Sequence, residues 1–226
     1  LHSPLRRLCT EAGTKDMKPV SQRSYAPVLW GLALAGVLID QATKYGVFRW
    51  LYNEERRQGE YEVVPGAFKF LAQFTDQHEP RDQLLAPLRT FSGELLPKVN
   101  HGALFGLGGE HTHIANSLFA AVSIIAAIAI VYWSRRRSTS SDPALCVALG
   151  LILAGTLGNL YDRIVFHGVR DFLYFYWIEW PVFNVADCCL VCGAGLLLAQ
   201  AFWSRPPTGA HEARPSAMAP EVAHVE

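Results

Sequence analysis

The chain alternates between long apolar runs and polar connections of very unequal length. APVLWGLALAGVLI covers Ala26 to Ile39 and stays compatible with a helix through Asp40 to about Trp50, while IANSLFAAVSIIAAIAIVYW covers Ile114 to Trp133. ALCVALGLILAGTLGNL covers Ala144 to Leu160, and VFNVADCCLVCGAGLLLAQAFW covers Val182 to Trp203. Crossing the hydrocarbon of a bilayer takes about 20 mostly apolar residues. The second and fourth runs reach that length unaided; the first and third reach it with their polar ends included. The pattern predicts an all-α membrane protein with four transmembrane helices, at about 26–48, 114–133, 144–161 and 182–203. A soluble fold with several buried helices needs amphipathic helices to clothe them, and the pattern offers none. A narrower alternative concerns the first run alone: RSYAPVLWGLALAG resembles a signal peptide, with Ala33-Leu34-Ala35 as a weak cleavage site.

Basic residues set the expected orientation. Arg6, Arg7, Lys15, Lys18 and Arg23 precede the first run, and Arg135, Arg136 and Arg137 follow the second. Such flanks stay cytoplasmic, so both termini are expected inside and the region from about 51 to 113 outside. Within that region EVVPGAFKFLAQF (Glu62 to Phe74) reads as extended chain around a Pro-Gly turn. KVNHGALFG (Lys98 to Gly106) reads as a second strand or loop, and the aperiodic piece between them, about 76–97, as an insertion. Residues 1–24 and 204–226 have little to bury and read as disordered cytoplasmic tails around a membrane domain at 25–203.

Of 226 residues, 50% are hydrophobic and 18% charged, with a formal net charge of zero. Soluble domains carry roughly 25% charge. A neutral chain gives no bulk electrostatic argument for nucleic acid. Cys188, Cys189 and Cys192 sit inside the fourth run, with Cys9 and Cys146 elsewhere. C-C-x-x-C admits a soft-metal or redox site; small apolar fillers in a buried helix are the simpler reading.

The placement of the few charges is more informative. Asp40 and Lys44, four apart on one helical face, suit an ion pair near the outer end of the first span. Gly155, Asn159 and Asp162 share a face at the outer end of the third, with Arg163 one step round. Asn184 and Asp187 lie near the outer start of the fourth, Asp187 about a turn inside it, and Asp171 in the short loop between third and fourth. The inner halves of the spans are nearly free of ionisable groups. A charge at the bilayer centre costs about 2.5–3.5 kcal/mol, so such groups normally face the bundle interior and serve function. Anchoring pairs or helix caps explain Asp40, Lys44, Asp162 and Arg163 equally well; Asp187, with no basic neighbour in sequence, is harder to explain structurally. Phe172, Tyr174, Phe175, Tyr176, Trp177, Trp180 and Phe183 suit an interfacial aromatic belt. Two carboxylates at that boundary, Asp171 and Asp187, suggest acid–base chemistry by a pair sharing one proton. His101, His111 and His113 are the other candidates for metal chemistry, but H-x-H alone is better read as solvated loop histidines, and no metal or cofactor is expected.

Taken together, DQATK (Asp40 to Lys44), NHGALFG (Asn100 to Gly106), GTLGNLYDR (Gly155 to Arg163), VRDF (Val169 to Phe172) and FNVAD (Phe183 to Asp187) resemble the lipoprotein signal peptidases, or signal peptidase II. The resemblance covers about Ala26 to Phe202. It implies a four-helix bundle with a small extracytoplasmic β-cradle, and a bacterial inner-membrane aspartic endopeptidase that works near the outer face, as a monomer. Asp171 and Asp187 would be the catalytic pair; Asn159, Arg163 and Asn184 would hold the pair and the substrate backbone. Asp40, Lys44, Asn100 and Asp162 match further characteristic positions. The substrates implied are prolipoproteins carrying a diacylglyceryl-cysteine, presented by membrane lipid, with globomycin as inhibitor. The chain departs from the pattern in its insertion, in His101 and Leu104, and in Arg170, where an apolar residue is usual. A different class of function, a small transporter or channel with Asp40, Asp162 and Asp187 along an ion path, requires polar groups through the full depth of the bundle. A non-catalytic membrane scaffold is a third reading.

Overall fold

The computed structural model describes residues 23–76, 84–89, 95–102 and 112–203, with the side chains of 112 and 113 left aside. The two tails up to residue 22 and beyond 203, most of the insertion, Leu104, His111 and the side chain of His113 lie outside the described residues.

The long helices are α1 (Ala26–Trp50), α3 (Thr112–Ser134), α5 (Pro143–Val165) and α6 (Val185–Trp203); α2 (Ala86–Arg89) and α4 (Arg137–Ser140) are single turns. Each long helix carries a segment long and apolar enough to cross a membrane. Both α1 and α5 open with proline in the first turn, where a missing N–H goes unnoticed. Asp142 caps α5, its carboxylate accepting from the Leu145 N–H at 3.0 Å.

The centre of the bundle is α5, with 56% of its apolar window buried against 11% for α3 and α6. It packs on α1, α3 and α6. Lipid tails are as apolar as leucine, so helices in a membrane associate through close-packed small residues and polar contacts rather than by hiding apolar surface. Accordingly Gly150 of α5 lies against Leu29 and Leu32 of α1, and Gly193 of α6 against Ala148 and Ile152 of α5. Leu34, Ile125 and Val191 point outward. Leu29, Ala33, Ile130, Cys146, Leu149 and Leu153 form the core at the end of the bundle where α1 and α5 begin.

At the other end stands an open antiparallel sheet. Its strands are β1 (Gln58–Val64), β2 (Phe68–Thr75), β3 (Leu96–Pro97) and β4 (Leu173–Phe175). The central strand β2 pairs with each of the other three. The Pro-Gly turn falls at residues 65–67, with Gly66 at φ 79° supplying the left-handed step. Val47 and Phe48 of α1 pack with Ala72, Phe74, Leu95 and Phe172, which fixes the cradle to the bundle.

Three expectations change in detail. Helix α5 runs on to Val165, beyond the apolar run that predicted it, while α1 ends at Trp50, where the helix-compatible stretch of sequence also ends. The fourth span begins at Val185 rather than 182, because Phe183 is drawn into a β-bridge with Leu173. Phe172 leaves the aromatic belt for the core, 2% exposed, whereas Trp177 and Trp180 stay at the surface.

Candidate active site

The start of α6 is a reciprocal cap. Asn184 Oδ1 accepts from the Asp187 N–H at 3.0 Å, and Asp187 Oδ2 accepts from the Asn184 N–H at 3.2 Å. This is the capping-box arrangement, with an amide and an acid in the two roles. It places Asp187 in the first helical turn, not a turn deeper as its apolar surroundings suggested. The helix dipole there favours negative charge.

Asp171 arrives by a different route. His167, at φ 58°, ends α5 in the left-handed conformation common after a helix C-terminus. The chain then extends, and Val169 exchanges backbone hydrogen bonds with Asn100 at 2.7 and 2.8 Å. Extended backbone alternates its side chains. Arg170 and Phe172 are buried, and Asp171 between them faces the opening of the bundle.

One asparagine joins the two acids. Asn184 Nδ2 donates to Asp171 Oδ1 at 2.7 Å while its backbone and side chain cap Asp187. Asn159 Nδ2 donates to Asp187 Oδ1 at 2.8 Å, and Asn100 Nδ2 donates to Asp171 Oδ2 at 3.1 Å. Both acids, with Asn100, Gly102, Asn159, Arg163 and Val169, line a cavity of about 70 Å³. Burial, then the neighbouring Asp187 charge, pushes the Asp171 carboxyl up to about 7, against the opposing hydrogen bonds from Asn100 and Asn184.

Behind this cavity lies a fully buried lattice of charge. Lys44 Nζ sits 2.8 Å from Asp40 and 3.3 Å from Asp162, and donates to Asn159 Oδ1 at 3.2 Å. Asp40 Oδ1 accepts from the Ala186 N–H at 2.9 Å, tying α1 to the start of α6. Arg170 reaches Asp162 through Nη2 at 2.8 Å and Nε at 3.2 Å. Two acids and two bases thus neutralise one another, as buried charges must. Gly158 leaves the room: a Cβ there would lie 2.6 Å from Asp40 Oδ2.

Every site residue named from the sequence therefore lies in or directly behind one cavity. Sequence reasoning missed four contributors. Gln41, beside Asp40, offers its amide to Asp40, Gly158 and Asp162, and accepts from Arg170 at 2.8 Å. A second polar residue next to an intramembrane acid was the available signal. Asn116 of α3 donates to the Arg163 carbonyl at 3.3 Å, and Phe119 lies under the Arg163 guanidinium and against Gly102. Arg89 of the insertion donates to the carbonyl of Val165 at the end of α5 and meets His167 at 3.3 Å. His101 donates to the His167 carbonyl at 2.8 Å, a tie between loops. Among the described residues no three His, Cys, Asp or Glu side chains gather as metal ligands.

Fold and site together define a multi-pass membrane protein with two linked carboxylates where a four-helix bundle meets a small β-sheet. The family model described as signal peptidase (SPase) II matches residues 32–203. The chain belongs to the signal peptidase II family. The lipoprotein signal peptidase of Rhodopirellula baltica is 33% identical over 190 residues, covering 77% of this chain and 71% of that one. That of Symbiobacterium thermophilum is 35% identical, covering 74% and 88%, and that of a Methylobacterium species 31%, covering 79% and 92%. Two solved bacterial membrane enzyme structures share the fold, with TM-scores of 0.58 and 0.56 at 24% and 22% identity. They cover 80% and 81% of this chain, and the match takes in 91% and 99% of theirs.

Proposed function

We propose that Asp171 and Asp187 are the catalytic pair of a membrane aspartic endopeptidase, which removes signal peptides from diacylglyceryl-modified prolipoproteins at the outer face of the bacterial inner membrane. The observation that carries this reading is Asn184, whose side-chain amide donates to the Asp171 carboxylate and whose backbone N–H donates to the Asp187 carboxylate, with both acids on one small cavity. Asp187, the other carboxylate of the pair, takes a proton from a water as that water attacks the scissile carbonyl. Asp171, raised to about 7 and so partly protonated at neutral pH, gives its proton toward the departing nitrogen. Arg163 and Asn100 line the same cavity with donors for the substrate backbone.

The transporter reading needs a polar path through the bundle. Among the described residues, the inner halves of α1, α3, α5 and α6 carry no Asp, Glu, Lys or Arg beyond the Asp142 cap. The test is cleavage of a diacylglyceryl-modified prolipoprotein by the purified protein in detergent, with and without globomycin. Asp171→Asn and Asp187→Asn keep shape and hydrogen bonding but lose the ionisable group, so each is expected to lower the rate about 100- to 10,000-fold. The double variant should be scarcely slower than either single one, because members of a catalytic unit are non-additive. Near-normal cleavage by a well-folded Asp187→Asn protein would end the assignment.

A further inference from the structure

Arg170 is the largest fully buried side chain among the described residues and directly precedes Asp171. Burying a guanidinium requires extensive compensation. The compensation is there. Asp162 accepts from Nη2 and Nε of Arg170, and also from its backbone N–H at 2.9 Å, so one carboxylate grips both ends of the residue. Gln41 accepts from Nη2 at 2.8 Å. The guanidinium carbon lies 4.2 Å from the Tyr45 ring centroid and 3.9 Å from that of Phe166. Nη1 makes no hydrogen bond, and the ring faces meet its charge. Tyr45 is itself held, its hydroxyl donating to the Leu88 carbonyl of the insertion at 2.9 Å.

These contacts come from α1, α5 and the loop after α5, and converge on the peptide immediately before Asp171. The residue cannot rotate or slide without breaking a bidentate ion pair in a site closed to water. Its side chain points away from the cavity, so it touches neither water nor substrate. Resting on the catalytic reading above, we propose that Arg170 is a positioning residue for the cleavage reaction. Its guanidinium, clamped to Asp162 between Tyr45 and Phe166, fixes the backbone that aims the Asp171 carboxylate at Asp187. A plain structural role, neutralising the surplus negative charge of Asp40 and Asp162 beside the single Lys44, is the alternative to be separated.

The separating experiment uses the full-length protein in detergent, with kcat, KM and Tm measured for Arg170→Met, Arg170→Lys and the double variant Asp162→Asn/Arg170→Met. Misplacing a reacting group by about 1 Å costs on the order of 100-fold. Arg170→Met should therefore lose about 10- to 100-fold in kcat with KM changed less than about threefold. Arg170→Lys keeps the charge but not the planar fork, so it should fold well and still be at least about fivefold slow. The double variant again balances the buried charge, one acid against Lys44, and should regain Tm relative to Arg170→Met while remaining as slow. Wild-type kcat in Arg170→Lys, or recovery of kcat together with Tm in the double variant, would reduce Arg170 to charge balance and overturn the proposal. Asp171→Asn in the same assay keeps the two readings apart. If it cleaves normally the catalytic assignment fails; if it is inactive while Arg170→Met is not slowed, only the positioning role fails.

Discussion

Replacing Gly155 with alanine adds one methyl group where α5 and α6 approach closely. The new Cβ would lie 2.7 Å from Leu190 Cγ and 3.1 Å from the Leu190 backbone N, and closer still to the Ala186 carbonyl oxygen. Ordinary contact begins near 3.4 Å. Two of the three neighbours are backbone, so turning the Leu190 side chain aside does not clear the space, and α6 has to move away from α5. The displacement needed is about 1 Å, and it acts on the first turn of α6, next to Asp187. Overpacking of this kind costs about 1–3 kcal/mol, and a shift of about 1 Å between reacting groups costs about 100-fold in rate. Gly155→Ala should therefore lower kcat by about 10- to 100-fold, more than its loss of Tm explains. Gly31 and Gly46, also in helices, have nothing within 4 Å of a Cβ. Alanine there should leave the rate unchanged and stabilise by up to about 1 kcal/mol. The assay is prolipoprotein cleavage in detergent beside thermal unfolding of the same preparations. Wild-type kcat in Gly155→Ala would refute the claim that α5–α6 spacing sets the geometry of the acid pair.

Lys44→Met strands Asp40 without a base while Asp162 keeps Arg170, so thermal unfolding should show a loss near the lower end of the roughly 3–5 kcal/mol range for a broken buried pair; an unchanged Tm would contradict the lattice. Asp171, raised from 3.8 to about 7, binds a proton in the folded state that the unfolded chain releases, so stability should fall as pH rises between those values and level off above them. Asp171→Asn should flatten that fall in Tm measured from pH 4 to 8, and wild-type cleavage should decline as pH passes about 7. Activity should survive EDTA, and His111→Ala with His113→Ala should keep most of the rate; loss to chelator with rescue by zinc would revive a metal mechanism. A cysteine placed at Glu79 in a cysteine-free background should label from outside without permeabilisation, as the basic flanks require.

Hydropathy alone located the four spans, because lipid imposes a length and an apolarity that few other structures need. It misjudged the start of α6, since Phe183 is apolar enough for a span and only its bridge to Leu173 keeps it out. The spacing of Asn184 and Asp187 is a capping-box spacing, so the cap was legible in the sequence, although the apolar context concealed it. The partners of Asp40 and Lys44 four residues apart were legible for the same local reason. Arg170 was not. Its burial depends on Tyr45 and Gln41 of α1, more than a hundred positions away, and no local pattern announces that shelf. The alternation that turns Asp171 toward the cavity and Phe172 into the core likewise follows from the bridge between Asn100 and Val169, a long-range contact.

The buried lattice also bears on how the chain enters the membrane. Gln41 and Asp162 are 121 residues apart. At roughly 5–20 residues per second of synthesis, α1 waits about 6–24 seconds for α5. During that wait Asp40 is not bare, because its base, Lys44, lies one turn along the same helix. Asp162 likewise brings Arg170 from eight residues further on in its own segment. Each half can thus be handed to the bilayer as a neutral unit, and the exchange of partners across α1 and α5 is left to assembly inside it.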